Sequence, residues 1–251
     1  MGCVEVAIPG RGGHRATGMT YMNFGKILEL VLNNGVDPVS GIQLISVNGK
    51  PGREIKFSSY AEVWQAWNKL LKFYTDLAVE SDHICDSSLK KHDADPFASS
   101  LINNSIDRGK TLKNGGGEFD FVSQSNIGTS IIGDALAVIK KLVFEDKVIT
   151  FRELRNALDA NWDGEENQKI RKVALAVPKF GNDEDYVDEL VADVYTSYLD
   201  ILPDYHNERF GKGPVGCGYT MSTSNISSYV PSGMDVGATP DGRYAGDPLN
   251  E

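Results

Sequence analysis

The sequence predicts an α/β protein, and the alternation of its apolar patterns carries that expectation, while its glycine and apolar content bear on loops and packing. Stretches with apolar residues at helical spacing alternate with short runs in which apolar residues recur at every second position. Glycine is abundant, at 26 of 251 residues, so many connections turn sharply or pass close to another group. The apolar fraction of 41%, glycine left out, suits a packed interior.

The chain opens on Met1-Gly2-Cys3-Val4-Glu5-Val6-Ala7-Ile8-Pro9 and runs into Gly10-Arg11-Gly12-Gly13. Asn23 then caps a helix carrying Phe24, Ile27, Leu28 and Val31, which Gly35 closes. Asp37-Pro38 and Ser40-Gly41 read as turns, and Ile42 to Ile45 as a short strand. Ser59 and Glu62 have the spacing of a capping box for a second helix. Its apolar face is Val63, Trp67, Leu70, Leu71, Tyr74 and Leu77, and the aromatics there read as core.

From Ser81 to Asn126 the periodicity loosens. Pro96-Phe97 leads a short apolar piece, Gly115-Gly116-Gly117 makes a tight turn, and Glu118 to Val122 reads as a strand with Phe119 and Phe121 alternating. Ile131, Ala135, Val138, Ile139 and Leu142 mark the next helix, with lysines near its C-terminal end, where the dipole favours them. Thr150 and Glu153 cap a helix bearing Phe151, Leu154 and Leu158. Another carries Ile170, Val173 and Ala174 and stops before Pro178. Asn182 or Asp183 starts a helix with Tyr186, Val187, Leu190, Val194, Tyr198 and Leu202 on one face. Val215, Cys217, Tyr219 and Met221 at period two make a strand within Gly213 to Thr223, and the end of the chain is loop.

The formal charge of -10 excludes a nucleic-acid surface, because phosphate binding needs a basic face. Three widely spread cysteines, Cys3, Cys85 and Cys217, fit free thiols in a reducing compartment. No signal peptide and no long apolar run is present, so the expectation is a cytoplasmic protein with no membrane partner. Most domains begin with a polar lead-in. This chain begins within what reads as a buried glycine-flanked loop, so it is expected to be a fragment or to start in an unusual place.

Several chemistries are weighed on residue spacing. In an extended segment Cys3 and Glu5 point to one side, which presents a thiol and a carboxylate together; equally, Cys3 reads as a small buried hydrophobe and Glu5 as a solvated charge. Asp159, Asn161, Asp163 and Gly164 match half of a calcium loop, but Ile170 stands where the bidentate glutamate belongs. His83, Cys85 and His92 lack a fourth zinc ligand. Gly10 to Gly13 lacks the Lys-Ser or Lys-Thr of a phosphate loop, and no G-x-S-x-G elbow occurs. A papain-like pair of Cys3 with a histidine lacks the helix that should follow the cysteine. No metal site is expected.

Gly2-Cys3-Val4-Glu5 resembles the active-site cysteine loop of the glycyl radical enzymes, the superfamily of pyruvate formate-lyase and the radical diol dehydratases. Further collinear stretches look like parts of the same family: Thr17 to Gly35, Pro96-Phe97 with Arg108-Gly109-Lys110, Ile139 to Phe144, Pro178 to Asp183 and Gly237 to Arg243. The resemblance implies the second half of a ten-stranded α/β barrel with a central cysteine loop and helices packed outside. All of residues 1–251 would then be one partial barrel domain, without the N-terminal half and the glycyl radical domain.

By position Cys3 matches the cysteine that becomes a thiyl radical and abstracts a substrate hydrogen. Glu5 matches the general base of the C-x-E subgroup, which includes dehydratases, related eliminases and arylacetate decarboxylases. Sulfur is soft and polarizable and tolerates an unpaired electron. Loss of hydrogen from a carbinol carbon acidifies its hydroxyl, so a nearby carboxylate can take that proton and help expel a neighbouring group. Holding thiol, carboxylate and substrate together is worth about 7–11 kcal/mol of barrier. His14, Arg15 and Thr17 follow closely and are candidate substrate-binding residues.

Two departures shape the expectation. Pyruvate formate-lyase carries adjacent cysteines, whereas Gly2 precedes Cys3 here, which favours the C-x-E subgroup; within it, elimination of C–O or C–N type is the leading expectation. C–C cleavage, as in an arylacetate decarboxylase or a formate C-acetyltransferase-like reaction, is the alternative; a non-catalytic remnant or a subunit completed by other chains is another. Second, no R-V-x-G-Y motif occurs, so the radical glycine is absent from these residues. The resemblance thus implies no bound cofactor, a protein-based glycyl radical installed by a radical-SAM activating enzyme, a small-molecule substrate, and a homodimer for the full-length parent. The chain alone is expected to be inactive.

Overall fold

The computed structural model describes residues 8–12, 17–208, 219–222 and 226–250. Strand β1 (Thr17–Asn23) runs into helix α1 (Phe24–Leu32), and a long loop leads to α2 (Tyr60–His92). Two short helices follow, α3 (Pro96–Ser100) and α4 (Ser105–Arg108), then β2 (Val122–Ile127) and α5 (Thr129–Val138). Helix α5 continues as a π-helical segment, Ile139–Glu145. Helices α6 (Phe151–Asp159), α7 (Glu165–Leu175) and α8 (Asp185–Leu199) precede β3 (Tyr219–Ser222) and α9 (Tyr229–Met234). No helix among the described residues is long and apolar enough to cross a membrane.

The chain divides into two compact units: residues 1–22, 74–126 and 198–225 form one, and 23–73, 127–197 and 226–251 the other. The first holds the sheet, in the order β1-β2-β3. β2 and β3 are parallel, in register from Val122 against Tyr219 to Ser125 against Ser222. Parallel strands joined through helices are what the alternating sequence pattern predicts.

The second unit holds most of the large apolar core. Asn23 caps α1 by accepting from the Lys26 N–H at 3.0 Å, and the Gly35 N–H returns to the Leu30 carbonyl at 2.6 Å. Phe24 stands edge-on to Trp67, with ring centroids 5.4 Å apart, and Trp67 Nε1 donates to Ser197 Oγ. Gly133 lets α5 approach α8, since a Cβ there would lie 2.2 Å from Val191 Cγ2. The Thr150–Glu153 capping box of α6 is present in both directions.

Four local expectations change. Ile42 to Ile45 is loop: only Gln43 bridges, to Val36, and Ile42 and Leu44 face solvent. The chain there is drawn around Asn34 instead, whose amide donates to the Lys50 and Gly52 carbonyls and whose oxygen accepts from the Asn48 N–H. Helix α2 runs to His92, past the predicted loosening at Ser81, because its buried stripe turns polar at Thr75, Asp82 and Asp86 and no glycine or proline interrupts it. Leu77, placed by periodicity on the buried face, is exposed. Finally, the strand expected over Glu118 to Val122 lies at Val122–Ile127, where four polar residues in a row hid it.

Asp159 to Gly164 is a link between α6 and α7. Asn161 and Trp162 take left-handed backbone, Asn161 Oδ1 accepts from the Ala245 N–H at 2.7 Å, and buried Trp162 donates from Nε1 to the Arg243 carbonyl at 2.9 Å.

Candidate active site

In the first unit, Ile8–Gly12 is a turn. The Ile8 carbonyl accepts from the N–H groups of Arg11 (3.0 Å) and Gly12 (2.9 Å), and Gly10 sits at φ +71, where glycine is free of strain. This turn is fastened to residues 117–119. The Arg11 carbonyl accepts from both the Glu118 and Phe119 N–H groups, at 2.9 and 3.0 Å, and Gly12 forms a parallel bridge with Phe119. The Arg11 guanidinium donates from Nε to Glu118 Oε2 at 2.7 Å and from Nη2 to Oε1 at 2.6 Å, and its carbon stands 4.9 Å over the Phe119 ring. Its hydrogen bond to Glu118 holds Arg11 above its ordinary pKa. The Gly10 carbonyl accepts from the Asn103 N–H at 2.7 Å, and Arg108 Nη1 donates to the Gly117 carbonyl at 2.7 Å.

Cys3, Glu5, His14 and Arg15 lie outside the described residues; Cys3 and Glu5 precede the fastened turn by five and three positions from Ile8. Thr17 is the first residue of β1, the strand that follows the turn.

Beside β1 lies β2, in which Ser123, Gln124, Ser125 and Asn126 are all buried. Buried parallel strands ordinarily read as apolar runs, because each polar group removed from water needs a partner. Side chains alternate along a strand, so Ser123 and Ser125 share one face and Gln124 and Asn126 the other. Just before it, Asp120 is fully buried, and its carbonyl accepts from Asn207 Nδ2 at 2.9 Å. Sequence periodicity missed this run, since four polar residues have no apolar period. The signal that was available is the position between Phe121 and Ile127 of polar residues with no turn-forming pair. Such a strand can offer hydroxyl and amide groups to a polar ligand.

In the second unit, the stretches Pro178 to Asp183 and Gly237 to Arg243 act through backbone contacts. Lys179 Nζ donates to the carbonyls of Ala174 (2.9 Å) and Val177 (2.8 Å), closing the end of α7. Asp134 of α5 accepts from the Phe180 N–H at 2.8 Å. Burial pushes the Asp134 carboxyl up to about 6, against the pull of that N–H and of Lys179. Burial also raises Asp241 and lowers Lys179 from their ordinary values. Arg243 donates to the carbonyls of Gly233 (2.8 Å), Gly237 (2.7 Å) and Asp247 (2.7 and 2.9 Å), so one guanidinium ties the whole turn. These motifs build scaffold.

His83 of α2 donates from Nε2 to the His206 carbonyl at 2.9 Å. Among the described residues no group of three or more His, Cys, Asp or Glu side chains is arranged to hold a metal ion.

A family model described as pyruvate formate lyase-like matches residues 1–233. The chain is 39% identical to a probable dehydratase, YbiW, of Escherichia coli over 100% of its own length and 31% of that protein's. It is 34% identical to the trans-4-hydroxy-L-proline dehydratase of Clostridioides difficile, again over its whole length and over 30% of the relative's. A solved structure concerned with 1,2-propanediol dehydration in Roseburia inulinivorans matches 100% of the chain, and 31% of its own, with a TM-score of 0.89 at 34% identity. The chain thus spans about a third of the length of these relatives.

Proposed function

Since the chain belongs to the pyruvate formate lyase-like family, we propose that it carries the hydrogen-abstracting part of a radical dehydratase. The observation that carries this reading is the whole-chain match to dehydratases, in sequence and in fold together. The activity belongs to a complete enzyme, meaning this chain together with the parts its relatives have outside the matched stretch.

In that enzyme Cys3, as a thiyl, takes a hydrogen atom from a carbinol carbon of the substrate, leaving a thiol and a carbon radical. Glu5 takes the hydroxyl proton, and the electron density so released expels the neighbouring hydroxyl, which leaves as water once protonated. The product radical recovers a hydrogen atom from the Cys3 thiol, so the cysteine ends as it began and the net change is loss of one water. A protein glycyl radical, installed by a radical-SAM activating enzyme, supplies the unpaired electron; the R-V-x-G-Y motif does not occur in these 251 residues. The buried polar run Ser123 to Asn126 supports a small hydroxylated substrate, as do His14, Arg15 and Thr17 by their nearness in sequence to the cysteine loop. The setting is cytoplasmic and anaerobic, because a carbon radical exposed to oxygen is lost to side reactions. The complete enzyme works as a homodimer.

The test is an anaerobic assay of the activated complete enzyme on a panel of small hydroxylated compounds, including vicinal diols and hydroxylated amino acids. The expected result is water loss with a carbonyl or unsaturated product from at least one. Release of carbon dioxide from arylacetates, with no dehydration of any panel member, would replace this reading by C–C cleavage.

A further inference from the structure

We propose that Arg11 and Glu118 are positioning residues for the hydrogen abstraction assigned to Cys3: their ion pair fixes the Ile8–Gly12 turn, which follows Cys3 in the chain. The proposal rests on the reading of Cys3 as the hydrogen abstractor.

Four observations converge on it. Arg11 is the sole residue with a side chain in Gly10-Arg11-Gly12-Gly13, so in that stretch a side-chain anchor can come from nowhere else. Glycines leave the backbone many conformations, and a loop made of them holds a position only if something external fixes it. The contact is bidentate, with both carboxylate oxygens engaged at 2.6 and 2.7 Å, and this fork sets orientation as well as distance. Phe119 covers one guanidinium face, and three backbone contacts, Glu118 and Phe119 to the Arg11 carbonyl and Asn103 to the Gly10 carbonyl, place the turn on the same support. That support leads within three residues of Phe119 into β2, the strand that carries the buried polar run Ser123 to Asn126.

An ion pair with one partner half exposed contributes little to global stability. Its effect is therefore expected on geometry at the loop and not on folding. Hydrogen abstraction is steep in distance, and misplacement by about 1 Å costs on the order of a hundredfold in rate. These two facts separate a positioning role from a merely structural one.

The experiment uses the activated complete enzyme, with the substrate found in the panel assay, and the variants Arg11→Ala, Arg11→Lys, Glu118→Gln, the double Arg11→Ala/Glu118→Gln, and Cys3→Ala as a reference. For each, kcat, KM, Tm and the glycyl radical signal in electron paramagnetic resonance are measured. The expected result is a kcat lowered about 10- to 100-fold in each single clamp variant, with KM, Tm and radical content unchanged. Arg11→Lys should also lose rate, because an ammonium lacks the planar fork that pairs both oxygens and fixes orientation, and it keeps the test open if the alanine variant folds poorly. The double variant should be no worse than the singles, as for two residues acting as one unit. Unchanged kcat, losses that multiply in the double variant, or kcat falling in step with Tm would each overturn the clamp. Turnover by Cys3→Ala would instead remove the reading of Cys3, which is a distinct failure.

Discussion

Replacing Gly133 by Ala sets two effects of known size against each other. Helix α5 would gain about 1 kcal/mol, because alanine is the better helix former and restricts the unfolded chain. Against this, the new methyl would lie 2.2 Å from Val191 Cγ2, 3.1 Å from its Cβ and 3.0 Å from its Cα. Turning the Val191 side chain relieves only the first contact; the backbone contact forces the two helices apart. Overpacking of this kind costs about 1–3 kcal/mol, and with backbone involved the upper part of that range applies. The expected net loss is about 1–2 kcal/mol, read in a chain of this size as a Tm lower by about 2–8 °C. Val191→Ala alone should cost about 1.5 kcal/mol for the buried methyls it removes. The double variant should cost less than the sum by about 1 kcal/mol, because the new methyl occupies part of the vacated space. Urea unfolding of the four proteins measures this directly. A stabilised Gly133→Ala, or additivity within about 0.5 kcal/mol, would refute the close α5–α8 packing.

Two further outcomes follow from the second unit. Asp134, raised to about 6 by burial, binds protons in the folded chain at pH values where the unfolded carboxyl, near its ordinary value of about 3.9, has lost them. Stability should therefore fall as pH rises from about 4 to 6 and level off above. Asp134→Asn keeps an oxygen for the Phe180 N–H, so it should remove that slope and gain about 1–2 kcal/mol at pH 7, after allowance for solvent screening. Denaturant midpoints measured across pH check this, and an unchanged slope would contradict it. Arg243→Lys should cost about 2–4 kcal/mol, since a compact ammonium does not span the carbonyls of Gly233, Gly237 and Asp247, which the guanidinium reaches from three separate nitrogens. Its Tm and the hydrogen exchange of the 237–247 turn report the loss, and a wild-type Tm would argue against the tie.

What the sequence made legible follows from what periodicity and caps can carry. Asn23, the Thr150–Glu153 box and the apolar stripe through Trp67 were readable because each is a local signal whose partner lies within a turn or two. Ile42 to Ile45 misled, because a short apolar run says nothing of the remote amide of Asn34 around which the chain bends. The second half of α2 and β2 beyond Val122 were hidden by buried polar residues, which break every hydrophobic period. At the candidate site, the family was legible through residue type and order, and the family match over residues 1–233 bears that out. The Arg11–Glu118 pair was not: its partners stand 107 residues apart, and nothing in either neighbourhood announces the other.

The role of Cys3 as the hydrogen-abstracting residue of a radical elimination is decided by Cys3→Ser in the activated complete enzyme. Serine keeps the shape but holds its hydrogen far too strongly for the exchange. The expected result is an undiminished glycyl radical signal together with no detectable water loss from the substrate. Turnover at a measurable fraction of the parent rate, with the same radical signal, would contradict it.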